Sequence, residues 1–172
     1  SFLIKNGEYT ESKKMTLTKS LSFVGESKDG VILKSTASDT SGYGFFDMST
    51  SGVVLSFKNL NFKDINGGNV GTINVGGDSA LDIINCTFDN CQSKYGTMWI
   101  KTTGTVNIEG TKILNSKETV SKGATAIYFQ GAGNYNIKDS EISGADYVGS
   151  SGYAYATVYI ANSAANATLD ND

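Results

Sequence analysis

Leu81-Asp-Ile-Ile-Asn-Cys-Thr-Phe-Asp-Asn-Cys91 alternates apolar and polar residues, and the alternation slips twice. Leu81 and Ile83 share one face, then the apolar set moves to Cys86 and Phe88, and then to Cys91. A strand sends successive side chains to opposite faces, so each slip marks a bend between two short strands. Asn85 and Asn90 stand at the slips, and Asn tolerates the left-handed backbone that a sharp bend requires. The inward set is therefore Leu81, Ile83, Cys86, Phe88 and Cys91. No helical period fits it.

The same pattern recurs outward in both directions. Copies begin at Leu55, Leu81, Val106 and Tyr135, spaced 26, 25 and 29 residues apart. A divergent copy opens at Leu21 (LSFVGES), and ATLDND at the end starts another. The first slip falls at Asn59, Asn85, Gly110 and Asp139, the second at Asp64, Asn90, Asn115 and Gly144. A second motif is interleaved: GFFDM from Gly44, GTINV from Gly71, GTMWI from Gly96, TAIYF from Thr125 and ATVYI from Ala156. Its inward pairs are Phe46/Met48, Ile73/Val75, Met98/Ile100, Ile127/Phe129 and Val158/Ile160.

Two motifs keeping one order at one drifting period are the mark of a stacked repeat, in which each unit buries its inner face against its neighbours. With bends instead of helices between strands, the predicted fold is an all-β parallel β-helix of about six coils, with three short strands per coil. Like residues then stack in columns: Leu55, Leu81, Val106 and Tyr135 in one, Phe57, Ile83, Ile108 and Ile137 in another. Stacked Asn at the bends (Asn59 on Asn85, Asn90 on Asn115) are expected to exchange side-chain hydrogen bonds and fix the register. Cys86 stands in the column of Leu60, Thr111 and Ser140, and Cys91 in that of Ile65, Ser116 and Ala145. Both read as small buried residues carrying free thiols.

Composition narrows the function. Ser, Thr, Asn and Gly make up 72 of 172 residues; all 14 basic residues are Lys, and there is no His, Arg or Pro. Histidine catalysis, an arginine clamp and a His-ligated metal are thereby excluded. The net charge of −3 argues against a nucleic-acid partner. No apolar run is long enough to span a bilayer, so this chain is not expected to insert into a membrane.

The core NCTFDNC, with GTMWI and GTINV in the neighbouring repeats, resembles the right-handed parallel β-helix proteins of the pectate-lyase-like superfamily. In texture it is closest to the adhesin-like surface proteins of methanogenic archaea. Ile4-Lys-Asn-Gly-Glu-Tyr9-Thr-Glu11 followed by Leu17-Thr-Lys-Ser-Leu21 resembles the first coil of that superfamily, with Asn6 where Pro is usual. The resemblance implies a right-handed coil and an extracellular, cell-surface setting. Residues 1–172 then form a single domain, expected to be part of a longer surface protein.

Enzymes of this superfamily work on the outer face of a coil, and without Arg or His the usual esterase and polygalacturonase sets cannot be assembled. A lysine-based polysaccharide lyase is the enzymatic alternative, with outward acids such as Asp82 and Glu109 holding a cation beside a Lys. The chain is expected to be non-catalytic, with no catalytic residues, no metal and no cofactor. The fourth position of the second motif reads Asp47, Asn74, Trp99, Tyr128 and Tyr159 along successive coils. In register these form an outward row whose rings are spaced about 4.8 Å apart, suited to the apolar faces of a glycan chain. The expected partner is a cell-surface glycan or a surface protein of another cell; the remaining alternative is a structural spacer. Longer segments at 35–42 and 143–154 leave open whether the row is exposed or covered. Asn85-Cys-Thr87 and Asn166-Ala-Thr168 match the glycosylation pattern, the first on a bend too enclosed to serve.

Overall fold

A computed structural model describes residues 1–36, 45–48, 51–120, 122–150 and 152–170. Every strand pairing among them is parallel, and the described residues contain no helix. The chain is a parallel β-solenoid, and the strands among the described residues gather into four sheets.

The first sheet has seven strands: Phe2–Ile4, Leu21–Gly25, Val54–Lys58, Ala80–Ile84, Thr105–Glu109, Asn134–Lys138 and Asn166–Asp170. The second has six, Gly7–Glu11, Val31–Ser35, Asn61–Lys63, Thr87–Asp89, Lys112–Leu114 and Glu141–Ser143. The third also has six, Met15–Thr16, Phe46–Met48, Ile73–Val75, Met98–Ile100, Ala124–Phe129 and Ala156–Ile160. These counts match about six coils of three strands. The later coils add a short fourth strand, Gln92–Ser93, Lys117–Glu118 and Asp146–Tyr147, beyond the three strands per coil that the repeat predicts.

Registers follow the repeat. Leu81 sits opposite both Leu55 and Val106, and Val106 opposite Tyr135. Phe57, Ile83, Ile108 and Ile137 form the parallel column. Leu21 pairs with Leu55 and Leu169 with Ile137, so the divergent first copy and the last one join the same columns. One-residue slips would turn every inward side chain to solvent, which is why the alternation fixes the register so strictly.

Bends carry the second half of the pattern. Asn59, Asp64, Asn85, Asn90, Asn115 and Asp139 all have φ between 48° and 58°, and Gly110 and Gly144 have 56° and 65°. These eight left-handed residues are the slip positions, where Asn, Asp and Gly bear that conformation at the least cost. The side-chain ladder forms in part: Asn85 Nδ2 donates to Asn59 Oδ1 at 3.4 Å, and Asn90 Nδ2 to Asp64 Oδ1 at 2.7 Å. One rung departs from expectation. Lys117 Nζ occupies Asn90 Oδ1 at 2.8 Å, a charge-assisted bond, so Asn115 Nδ2 turns to the Asp89 carboxylate at 2.9 Å instead.

Inside, Phe46, Phe57, Phe62 and Phe88 pack ring on ring, with Phe62 stacked on Phe88 at 4.5 Å. Leu81, Ile83, Cys86, Phe88 and Cys91 are all fully buried, as are Ile73, Val75, Met98, Ile100, Ile127 and Phe129. Val158 and Ile160, in the last coil, are only partly covered. Cys86 and Cys91 are free. Burial pushes both thiols up to about 12. Because only the thiolate reacts, neither is expected to be titrated by a thiol reagent at about pH 8 in the folded protein, and both after denaturation. Rapid labelling of the native chain would contradict this packing.

Candidate functional site

The outer face of the third sheet carries the row singled out in the sequence. Asp47 lies opposite Asn74, Asn74 opposite Trp99, Trp99 opposite Tyr128, and Tyr128 opposite Tyr159. The register is the expected one, but the row is not an open ladder.

Its polar end is buried. Asp47 is 4% exposed and Asn74 2%, which corrects the expectation that both face a ligand. Asn74 Nδ2 donates to Asp47 Oδ1 at 2.8 Å, and Lys14 Nζ reaches Asp47 Oδ2 at 3.5 Å. A carboxylate removed from water needs such partners, so these bonds account for Asp47 structurally. The Lys101 ammonium lies 4.0 Å from the Trp99 ring centroid. Its pKa is lowered by burial, with the Asp47 charge working the other way.

The aromatic end is a continuous cluster. Trp99 and Tyr159 are half-buried, and Tyr128 is only 8% exposed. Tyr95 bridges Trp99 and Tyr128, its ring centroid 4.5 Å from the first and 5.4 Å from the second. Tyr128 stacks on Tyr159 at 5.4 Å, Tyr155 meets Tyr159 at 4.8 Å, and Tyr153 meets Tyr155 at 5.8 Å. Gln130 Oε1 accepts the Trp99 indole N–H at 3.0 Å. Burial, and then the neighbouring tyrosines Tyr159, Tyr95 and Tyr155, raise the Tyr128 pKa. Rings 5 Å apart at tilted or offset angles are the preferred arrangement, so the patch is ordered by its own contacts.

Exposure concentrates where the row was not expected to lead. Tyr153 is 59% exposed and Tyr155 46%. Both come from the connection at 143–154 and its junction with the last strand, so that segment adds rings to the row instead of merely covering it. The connection at 35–42 lies largely outside the described residues. Tyr95 and Tyr155 escaped the sequence reading, although each immediately precedes a copy of the second motif.

Elsewhere the outward acids have structural partners. Asp82 Oδ1 accepts from Asn107 Nδ2 at 2.8 Å, and Glu109 is set beside Lys138 by the register of their strands. Among the described residues no group of three or more His, Cys, Asp or Glu is placed to share a metal ion. Asn85 is half-buried within its ladder, whereas Asn166 is exposed. A second buried carboxyl, Glu118, lies beneath Tyr95: a Cβ on Gly123 would come within 2.8 Å of both Glu118 Oε1 and Tyr95 Cδ1. No family model matches the chain, and neither a curated protein nor a solved structure does.

Proposed function

We propose that this chain is a non-catalytic, extracellular, adhesin-like β-helix module that binds a cell-surface glycan through the aromatic patch of the third sheet. One observation carries the reading: six rings, from Trp99 to Tyr153, touch in an unbroken series and end in two tyrosines open to water. Leaving rings exposed is costly without a partner, and an apolar surface rimmed by polar residues is the usual form of a binding face. Tyr153, Tyr155 and Tyr159 supply the stacking surface for sugar C–H faces. Trp99, Tyr95 and Tyr128 hold them in place, and Asp47 and Asn74 support the sheet beneath. The resemblance of the NCTFDNC repeat, as a sequence, to archaeal adhesin-like surface proteins is the ground for that setting.

The test is a glycan array probed with the folded chain, with and without calcium. Tyr153→Ala with Tyr155→Ala is expected to reduce retention at least about tenfold, the combined worth of two aromatic contacts. Trp99→Ala with Tyr128→Ala should have a similar effect by disordering the platform. Unchanged retention in a folded double variant would refute the patch, and capture of a surface protein on the same rings would replace the glycan with a protein partner.

A polysaccharide lyase is the second reading, and Lys101 is the observation in its favour. A lysine whose ammonium is weakened by burial is suited to act as a base, and this one lies on the same face as the rings. Calcium-dependent release of shortened oligosaccharides, lost in Lys101→Ala, would establish it. No binding and no cleavage in either condition would leave a structural spacer.

A further inference from the structure

Glu118 is the one fully buried carboxyl among the described residues, and the proposed mechanism of binding leaves it unused. It belongs to the strand Lys117–Glu118, between Ser93 on one side and Tyr147 on the other, and packs beside the strand Ala124–Phe129. Its Oε1 accepts the Gly123 N–H at 2.7 Å, and its Oε2 is buried with no hydrogen-bond partner among the described residues. Gly123 in turn anchors the exposed end of the patch. Gly123 O accepts the Tyr155 N–H at 2.9 Å, and the adjoining Lys122 N–H donates to Tyr153 O at 3.0 Å. The Tyr95 ring lies close enough that a side chain at Gly123 would meet it.

We propose that Glu118 is a proton-dependent latch: its neutral carboxyl holds Gly123, and through it Tyr153 and Tyr155, in the closed arrangement, and its ionisation loosens them. The proposal rests on the reading of this patch as a glycan site, and it adds that binding weakens as pH rises. An ionised carboxylate with one oxygen sealed from water and unpaired is strongly disfavoured, whereas moving outward restores its hydration. The titratable and charged groups on the surrounding elements are Tyr95 and Lys94 from the preceding coil, Tyr147 and Asp146 from the following coil, and Lys117 and Lys122 on its own segment. Lys117 is turned to Asn90, Lys94 lies over the Tyr95 ring, and Asp146 accepts the Tyr147 N–H, so none of these three is spent on Glu118. Burial raises the Glu118 pKa from 4.5 to about 7, with the Gly123 N–H working the other way.

Opening releases a carboxyl of ordinary acidity, so the open fraction grows with pH from 4.5 to about 7 and then levels off. Hydrogen exchange, expressed as protection so that intrinsic base catalysis cancels, should show the Gly123 and Tyr155 amides losing on the order of 100-fold across that window. Glu118→Gln should abolish the step. The Glu118 carboxyl carbon, followed by NMR in the unmodified chain, gives the same midpoint without relying on a variant. Glycan-array retention at about pH 5 and about pH 8 should fall in parallel, and only while Glu118 is present.

A Glu118 midpoint in the ordinary carboxylate range, or one protection profile shared by both proteins, overturns the latch. Retention that ignores pH while the amides respond overturns its link to binding. An amide response with no glycan retained at any pH overturns the glycan reading and leaves the latch intact.

Discussion

Phe62→Ala is expected to cost about 3–5 kcal/mol, enough to remove much of the stability of a domain of this size. Phe62 is fully buried, stacked on Phe88 at 4.5 Å with an interplanar angle of 3°, and meets Phe57 edge-on at 5.5 Å and Phe46 at 6.1 Å. Deleting the ring removes both its transfer free energy and those contacts. The flanking backbone cannot collapse into the space, because Asn61–Lys63 is held between Val31–Ser35 and Thr87–Asp89 on either side. In a stacked repeat each coil is stabilised mainly by its neighbours, so damage to a central coil weakens two interfaces at once. Leu169→Ala is the control, since Leu169 is 63% exposed in the last strand and should cost under about 0.5 kcal/mol. The measurement is the denaturant midpoint of each variant at constant slope. A loss below about 1 kcal/mol for Phe62→Ala would mean that the aromatic column is not the core.

The column that makes this prediction possible is legible in the chain itself. Phe62 and Phe88 occupy the same place in two copies of one motif, and alternation alone turns them inward. The left-handed bends are legible for the same reason, because Asn59, Asn85 and Asn90 stand where the alternation slips. Both are properties of a few consecutive residues. Features that depend on how one coil's connection lies over the next are not. Tyr95 stands in a connection, yet it separates Trp99 from Tyr128. Tyr153 comes from another connection, and Tyr155 from where that one rejoins the sheet, yet they form the exposed end of the patch. The fourth sheet arises because connections after the second bend run parallel to one another, and nothing in Gln92–Ser93 or Asp146–Tyr147 reads as a strand. Glu118 beside Lys117 carries no sign of burial in the chain, and it is the corner that turns Lys117 to Asn90 and Glu118 inward. Asp47 and Asn74 show the reverse failure. Their outward register was right, and an outward direction did not mean contact with water.

Glu118 gives the second large effect, on global stability. Its pKa is raised in the folded chain from 4.5 to about 7, and the direction fixes the sign. Below pH 4.5 both states hold the proton and the group is neutral in either, so folding carries no ionisation penalty. As pH rises toward 7 the unfolded chain releases its proton while the folded one retains it, and stability falls. Above about 7 the full difference applies, on the order of 3 kcal/mol. Glu26 and Glu141 act in the opposite direction. Hydrogen bonds from Lys5 and Ser143 respectively lower their pKa, so whatever they contribute is present above the ordinary carboxylate range and lost as pH falls through their depressed values. The two windows lie on either side of pH 4.5, which allows a single titration of stability to separate them. Glu118→Gln should flatten the decline between 4.5 and 7 and leave the acid limb untouched. The slope is the diagnostic, because a buried amide carries its own desolvation cost and shifts the whole curve by an amount that does not depend on pH. Parallel slopes in the two proteins would place the Glu118 carboxylate in water, and with it would remove the physical basis for a proton-controlled patch.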